Sequence, residues 1–508
     1  MAPPQILLGP ILHARGAQGP TGSGPRWRLS AVFLLGGEQE PPDLQVAGVS
    51  LPVPPRFMQE WRDLPPVGPV GEPCPGGLLR LWRYDFAVPR GLQDGRIAYG
   101  FTGDERRWQV CVPGIAIPPR IAYTACGGCE DEAHIEEAGL KRNSLWARLL
   151  SRHRATPQHL MLMGGDQIYA DGLWERVPAL RPATELKPMK RSAAIAEPDL
   201  ERQLDAWFIA SYRHGWNQPE TAAMLASVPG LRMWDDHDII DGWGSHPAEM
   251  LDSPVYKAIY AAARRAFRLF QIGMTDDDPA DTLLSDQPPS FTLGMRLNGI
   301  GIFAPDLRSE RRLDRVMDPA TLDKLPEWLA DFAPCAHLLV MSSVPLLFPS
   351  FALAERLLNL LPGRQAMEDD LRDQWRSPAH HAQWQTMLRH LVDFAGRTET
   401  RVTILSGEVH LAAHGQLTGP GVDIHQLVSS GIVHPPPAML AVEMMERLTR
   451  KQEDLFDRLH LSMLPMPGTD RCLLAARNYL TLTGRDDGGI IAEWHAEGVD
   501  NPMVVPIG

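Results

Sequence analysis

Met161-Leu-Met-Gly-Gly-Asp-Gln-Ile-Tyr-Ala-Asp171 is the stretch on which the fold of this chain turns. Leu160, Met161, Leu162 and Met163 form an apolar run of strand length, and Gly164 and Gly165 stop it. Asp166, Tyr169 and Asp171 follow at once, so a carboxylate stands where a buried strand ends. Strand ends in open α/β sheets form the crevice where ligands bind. Read alone, Asp166 could simply cap the next helix. Recurrence of the pattern favours a site.

Three further apolar runs end in polar clusters. Leu231, Met233 and Trp234 lead into Asp235-Asp236-His237-Asp238; Val402, Ile404 and Leu405 lead into Ser406-Gly407-Glu408-Val409-His410; Ile121, Ala122 and Tyr123 lead into Cys126. Strands side by side in one sheet would bring thiolate, carboxylate, phenolate and imidazole to one rim. That donor set suits a cluster of metal ions. Three carboxylates and an imidazole within four residues repel one another unless a cation sits among them.

Gly165-Asp166-Gln167-Ile168-Tyr169, Trp234-Asp235-Asp236-His237 and Leu405-Ser406-Gly407-Glu408-Val409-His410, in this order after a strand ending at Cys126, resemble the PhoD-like metallophosphatases of the calcineurin-like metallophosphoesterase superfamily. The resemblance covers roughly residues 116 to 500. It implies a four-layer α/β/β/α sandwich. With the Pro- and Gly-rich, turn-separated pieces of residues 1–115 read as an antiparallel β-sandwich domain, the fold class is α/β with domains 1–115 and 116–508.

Composition is that of an ordinary globular protein, with 44% hydrophobic and 22% charged residues among 508. A net charge of -13 argues against duplex nucleic acid as the main partner, while a small phosphorylated substrate remains compatible with local arginines and bound cations. Six cysteines in so long a chain read as reduced thiols, not a disulfide framework. Met1 to Gly16 lacks a basic segment followed by a sustained apolar one and lacks a twin-arginine pair. The expectation is a cytoplasmic protein with no transmembrane segment; its oligomeric state is left open.

Along the chain, helices are expected over Glu132–Arg154, Pro254–Phe270, Asp369–Phe394 (carrying Trp375 and Trp384) and Pro437–Phe456. Strands are expected over Leu297–Ala304, His337–Ser343 and Ile424–Val428, with a closing hairpin over Asn478–Trp494. Pro178 to Pro198, basic and proline-punctuated, reads as an insertion or lid.

The resemblance also implies roles. Asp166 bridges two metal ions; Cys126, Tyr169, Asp236, Glu408 and His410 are further ligands, and a phenolate ligand suits Fe(III). His237 falls at the general-acid position, with a pKa near neutrality in its favour. Asp306 and Arg308 match an Asp-x-Arg that binds substrate phosphate, Arg308 also stabilising charge in the reaction. The competing reading of these two is an ordinary ion-pair network with Glu310, Arg311 and Arg312. Asp235 and His414 are reserve candidates. Glu408 departs from the family's Asp, and Ser343 falls near a usual metal-binding histidine, so an oxygen-rich second site would suit Ca²⁺. Fe(III) plus Ca²⁺ is the favoured pair, with Mn²⁺ or Zn²⁺ as alternatives. The implied activity is hydrolysis of phosphate mono- or diesters by a hydroxide held on the metals; the alternative is a binding protein that kept the fold and lost turnover. Cys126 and Cys129 also form a Cys-x-x-Cys, for which a redox pair is the third reading.

Overall fold

A computed structural model of the chain describes residues 3–21, 24–186, 188–279, 281–285, 290–349 and 375–508. Two large sheets organise it. The first has ten strands in the order Met503–Ile507, Ile490–Ala496, Asn478–Gly484, Arg120–Thr124, Leu160–Gly164, Gly230–Met233, Gln5–Thr21, Gly24–Gly36, Leu78–Pro89 and Arg56–Arg62. The second has nine, with Ile300–Ala304, His337–Met341, Arg401–Ser406 and Val422–Ser429 parallel at its centre.

Alternation along the central strands builds the layers. Ile121, Tyr123, Leu160 and Leu162 point into the core shared with Ile300, Ile302 and Leu339 of the other sheet. Ala122, Met161 and Met163 point the opposite way, onto a helical layer that includes Leu149, Leu204 and Trp207. Helices Pro319–Ala330 and His381–Thr398 cover the far face of the second sheet through Leu325, Trp384 and Leu391. Strands buried on both faces carry apolar residues at every position, which is why Leu160–Met163 lacks polar alternation. The architecture is the expected mixed α/β one, with helices outside two facing sheets.

Several elements differ from expectation. Four of the strands in the first 115 residues, Gln5–Thr21, Gly24–Gly36, Arg56–Arg62 and Leu78–Pro89, extend the ten-stranded sheet: Gln5–Thr21 runs parallel to Gly230–Met233, with His13 opposite Gly230. Pairing of this kind satisfies an otherwise open sheet edge, while Leu44–Val46, Gly95–Phe101 and Trp108–Val112 form a separate three-stranded sheet. The helix expected over Glu132–Arg154 is two, Ala133–Glu137 and Ser144–Ala155, because the chain turns at Gly139 with φ of 68°. Leu297–Ala304 belongs to a hairpin, Leu293–Leu297 with Ile300–Ala304, turning at Asn298-Gly299. The helix carrying Trp384 starts only at His381, so Trp375 precedes it; residues 369–374 lie outside the described residues. The last long helix is Met439–Thr449, shorter than expected. The closing hairpin forms as Asn478–Gly484 paired with Ile490–Ala496. Residues of the segment 178–198 form short helical turns, with Leu180, Ala183 and Ala194 buried and Arg191 over the Trp174 ring. Among the described residues no helix is long and apolar enough to cross a membrane.

Candidate metal centre

Seven parallel strands, three in one sheet and four in the other, end on the same side, and each is followed by a residue of one cluster. Thr124 leads to Cys126, Gly164 to Asp166, Met233 to Asp235, Ala304 to Asp306, Met341 to Ser343, Ser406 to Glu408 and Ser429 to Ser430. The two rims are joined directly. Ser343 Oγ donates to Asp235 Oδ1 at 2.8 Å, Gly407 N to Ser343 O at 3.1 Å, and Ile432 N to Ala125 O at 3.1 Å.

The loops are tightly constrained. Cys126, Asp166, Glu408 and His410 all adopt positive φ, between 53° and 65°. Such backbone is disfavoured for side-chain-bearing residues and concentrates where the surroundings force a side chain into position. At Gly165, φ is 108° and a Cβ would stand 2.8 Å from that of Asp235, so only glycine lets the two loops approach. Asp238 ties them together: it accepts from the backbone N–H groups of Gln167, Ile168 and Asp235.

Two ligand groups share Asp166. Sγ of Cys126, a carboxylate oxygen of Asp166 and a ring nitrogen of His410 lie within 4.8 Å of one another, as do carboxylate oxygens of Asp166, Asp235 and Asp236. Tyr169 joins the first group, its hydroxyl 3.4 Å from His410 Nε2. Asp166 is buried; Oδ2 lies 3.5 Å from the Cys126 thiol, while Oδ1 has no hydrogen-bond partner among the described residues. Burial first, and then the charges of Asp235 and Asp236, push the Asp166 carboxyl well above the usual carboxylate range. Burial and Asp166 likewise push up the Cys126 thiol, and burial with Cys126 the Tyr169 phenol. Protein groups alone therefore disfavour the ionised forms of these donors and leave a buried oxygen unsatisfied. A cation removes both penalties, and the residues present fit one.

His237 lies beside this cluster. Its Nδ1 is 2.7 Å from Asp171 Oδ2 and its ring stacks on Tyr169 at 4.4 Å. Burial alone would favour neutral imidazole, but Asp171 and Asp236 outweigh it and hold the imidazolium well above its ordinary pKa. His237 also lies within ligand distance of Asp236 and Asp241.

Other expected residues stand elsewhere. Arg308 is fully buried behind the carboxylates; Nε donates to Asp235, Nη2 to Asp236 at 3.3 Å and Nη1 to the Trp243 carbonyl at 3.1 Å. These bonds aim the guanidinium at protein carboxylates, in place of the expected phosphate grip. Asp306 is a strut. Its carboxylate accepts from Trp234 Nε1, the backbone N–H groups of Phe291, Arg308 and Ser309, and the Ser309 hydroxyl. With its lone pairs so engaged, it is not available to substrate. His414 faces away, with Nε2 2.9 Å from His425 Nδ1 on the neighbouring strand, because alternation turns it from the rim. Glu408 belongs to none of the ligand groups among the described residues, although its backbone N–H points at the Cys126 sulfur.

Sequence reading passed over Asp171 as a His237 partner, and Ser430, Glu130 and His434. Ser430 Oγ is 3.1 Å from Cys126 Sγ and accepts the His410 N–H at 3.0 Å. Glu130 Oε1 lies 3.6 Å from His237 Nε2, and the His434 ring stacks on His410 at 3.5 Å. The signal was present: Ser430 and His434 follow the apolar run Ile424–Val428, one more strand end.

The chain is similar to known proteins in sequence and in fold. The uncharacterized protein YGR266W of Saccharomyces cerevisiae is 24% identical over 409 residues, spanning 69% of this chain and 58% of that protein's length. A solved structure of PhoD superposes with a TM-score of 0.59 at 10% identity, covering 100% of this chain and 90% of its own. The purple acid phosphatase PPD1 of yellow lupin (Lupinus luteus) seeds gives 0.51 at 10% identity, covering 98% and 74%. At that identity the two structures speak for the fold alone. A family model described as PhoD related phosphatase matches residues 134–367 and 359–501, well over half of the chain. This chain belongs to the PhoD related phosphatase family.

Proposed function

We propose that the chain is a metal-dependent phosphatase that hydrolyses phosphate esters, mono- or diesters, at the rim where the seven strand ends meet. The observation that carries the reading is Asp166, buried, shared by two ligand groups and holding an oxygen with no protein partner. Cys126, Tyr169, His410 and Asp166 would hold one cation, and Asp166, Asp235 and Asp236 the other. Sulfur, phenol and imidazole on one side favour a transition metal such as Fe(III), Zn²⁺ or Mn²⁺, whereas carboxylates alone on the other favour Ca²⁺ or Mn²⁺. Bound cations supply charge that offsets the negative charge developing at phosphorus, and they acidify coordinated water.

The chain's own residues do the rest. Arg308 and Ser343 hold Asp235, and Arg308 with the Gly242 N–H holds Asp236, which fixes the direction of these ligand oxygens. His237 donates from Nδ1 to Asp171, leaving the Nε2 proton for a leaving alkoxide. As part of the same reading, six free, buried cysteines support a reducing, cytoplasmic location.

Glu408 motivates the second reading, a protein that binds metal or phosphate without turnover, since it joins neither ligand group. Hydrolysis of p-nitrophenyl phosphate and its bis ester with added Fe, Mn²⁺ or Ca²⁺, alongside elemental analysis, separates the two. Turnover that Asp166→Asn abolishes together with bound metal supports the phosphatase. Bound metal without turnover of either ester supports the binding protein.

A further inference from the structure

A second set of metal-type donors lies just outside the cluster. Cys129 Sγ, a Glu130 oxygen and a His434 ring nitrogen fall within 4.8 Å of one another. Sγ is 3.5 Å from Glu130 Oε2, and His434 Nε2 is 3.0 Å from the same oxygen. This repeats the composition of the inner group, one thiol, one carboxylate and one imidazole. Cys126-Gly-Gly-Cys129 places one cysteine in each, and the His410 and His434 rings stack face to face between them.

His434 is oriented as metal-bound histidines are. Nδ1 lies 2.7 Å from the Pro435 carbonyl, which can only accept, so this nitrogen carries a proton and Nε2 is the one presented to the group. Nε2 in turn meets a carboxylate oxygen, also an acceptor. Something positive must lie between them, either a second proton on the ring or a cation. The sulfur lies 3.4 Å from the Asp131 carbonyl and 3.5 Å from Glu130 Oε2, more acceptors than one thiol proton can serve. Glu130 is 40% exposed, so an ion can enter from solvent.

We propose that Cys129, Glu130 and His434 form a further cation site, for a borderline ion of the zinc class. Thiolate, imidazole and carboxylate are the ligand types such an ion takes, and three protein ligands leave a fourth position open. That position borders His237, whose Nε2 is 3.6 Å from Glu130 Oε1, so the site stands at the edge of the proposed reaction centre. The inference rests on its own donors and holds whether or not the Asp166 centre turns over esters.

The test is a Co²⁺ titration of the chelator-treated full chain, read by equilibrium dialysis and by thiolate-to-cobalt charge-transfer absorption. Wild type is expected to bind one equivalent more than Cys129→Ser, which also loses part of the thiolate absorption. Cys126→Ser should lose the other part and keep the Cys129-dependent equivalent, and so should Asp166→Asn. Glu130→Gln, at a partly exposed side chain, should weaken that equivalent at least tenfold. Equal stoichiometry and absorption in wild type and Cys129→Ser would overturn the site and leave a proton shared between His434 and Glu130. Loss of the Cys129-dependent equivalent in Asp166→Asn would also overturn it, in favour of a single shared centre. Absence of ester hydrolysis with that equivalent present would count against the phosphatase reading alone.

Discussion

Asp166→Asn separates a functional carboxylate from a structural one through the sign of its effect on stability. Oxygens of Asp166, Asp235 and Asp236 lie within 4.8 Å of one another in a buried setting. At an effective dielectric near 20, each such pair of charges repels by about 3 kcal/mol. Arg308 and Ser343 relieve Asp235 and Asp236, but the partner of Asp166 is a weak thiol. Burial and its neighbours raise the Asp166 carboxyl above the usual carboxylate range, so at a pH alkaline enough to ionise it an amide removes repulsion on the order of 3 kcal/mol for each neighbouring charge left unrelieved. In excess chelator the variant should therefore melt a few degrees above wild type. With Mn²⁺ at a hundredfold over its dissociation constant, wild type gains about 3 kcal/mol and the variant, lacking the bridge, gains far less. The order of melting temperatures should invert between the two conditions. Thermal unfolding by circular dichroism reads it. A variant less stable than wild type in chelator would refute the reasoning, because Asp166 would then be a strut whose loss breaks the loop.

His237→Ala should retain most of the metal while turnover falls by about 10²- to 10⁴-fold, as expected for loss of a general acid; metal loss equal to that of Asp166→Asn would instead make His237 a ligand. Asp306→Ala leaves two loop N–H groups, the Phe291 N–H and the Trp234 indole without an acceptor, a destabilisation of about 3 kcal/mol in urea unfolding. Metal bound per folded molecule should not change; a variant of wild-type stability that binds no metal would restore Asp306 to the site. His159, His337 and His414 are pulled down to about 4, in each case chiefly by burial, with Arg120 adding to it at His159. Their native forms are neutral, so the stability they contribute is complete above their unfolded pKa near 6.5 and is lost as pH falls from about 6.5 towards 4, at about 1 kcal/mol per histidine per pH unit. Unfolding free energies that stay flat across that window would contradict the assignment.

What could be read from the sequence follows from what each signal encodes. Leu160–Met163 announces a buried strand because burial on both faces favours apolar residues at every position, and Val402–Leu405 does so with one polar exception, Thr403, whose hydroxyl meets His337. Glycine and acid at their ends announce loops with chemistry, since Gly165 and Asp166 are poor strand formers and have no place in an apolar core. Helix limits were less legible: Gly139 breaks one helix and Asn298-Gly299 makes a hairpin, local turns that apolar periodicity does not register.

Sequence alone thus pointed to strands that end in metal-type donors and named Cys126, Asp166, Tyr169, Asp236, Glu408 and His410 as the candidates, with Asp235 in reserve. Only the tertiary structure decided which polar residues face the centre and which hold it. Arg308, Asp306 and His414 look like site residues by type and position, yet two are engaged beneath the rim and one points along the neighbouring strand. Glu130 and His434, 304 residues apart, meet only because two sheets place their strand ends face to face. Direction and proximity between distant loops are properties of packing, and a linear pattern carries neither.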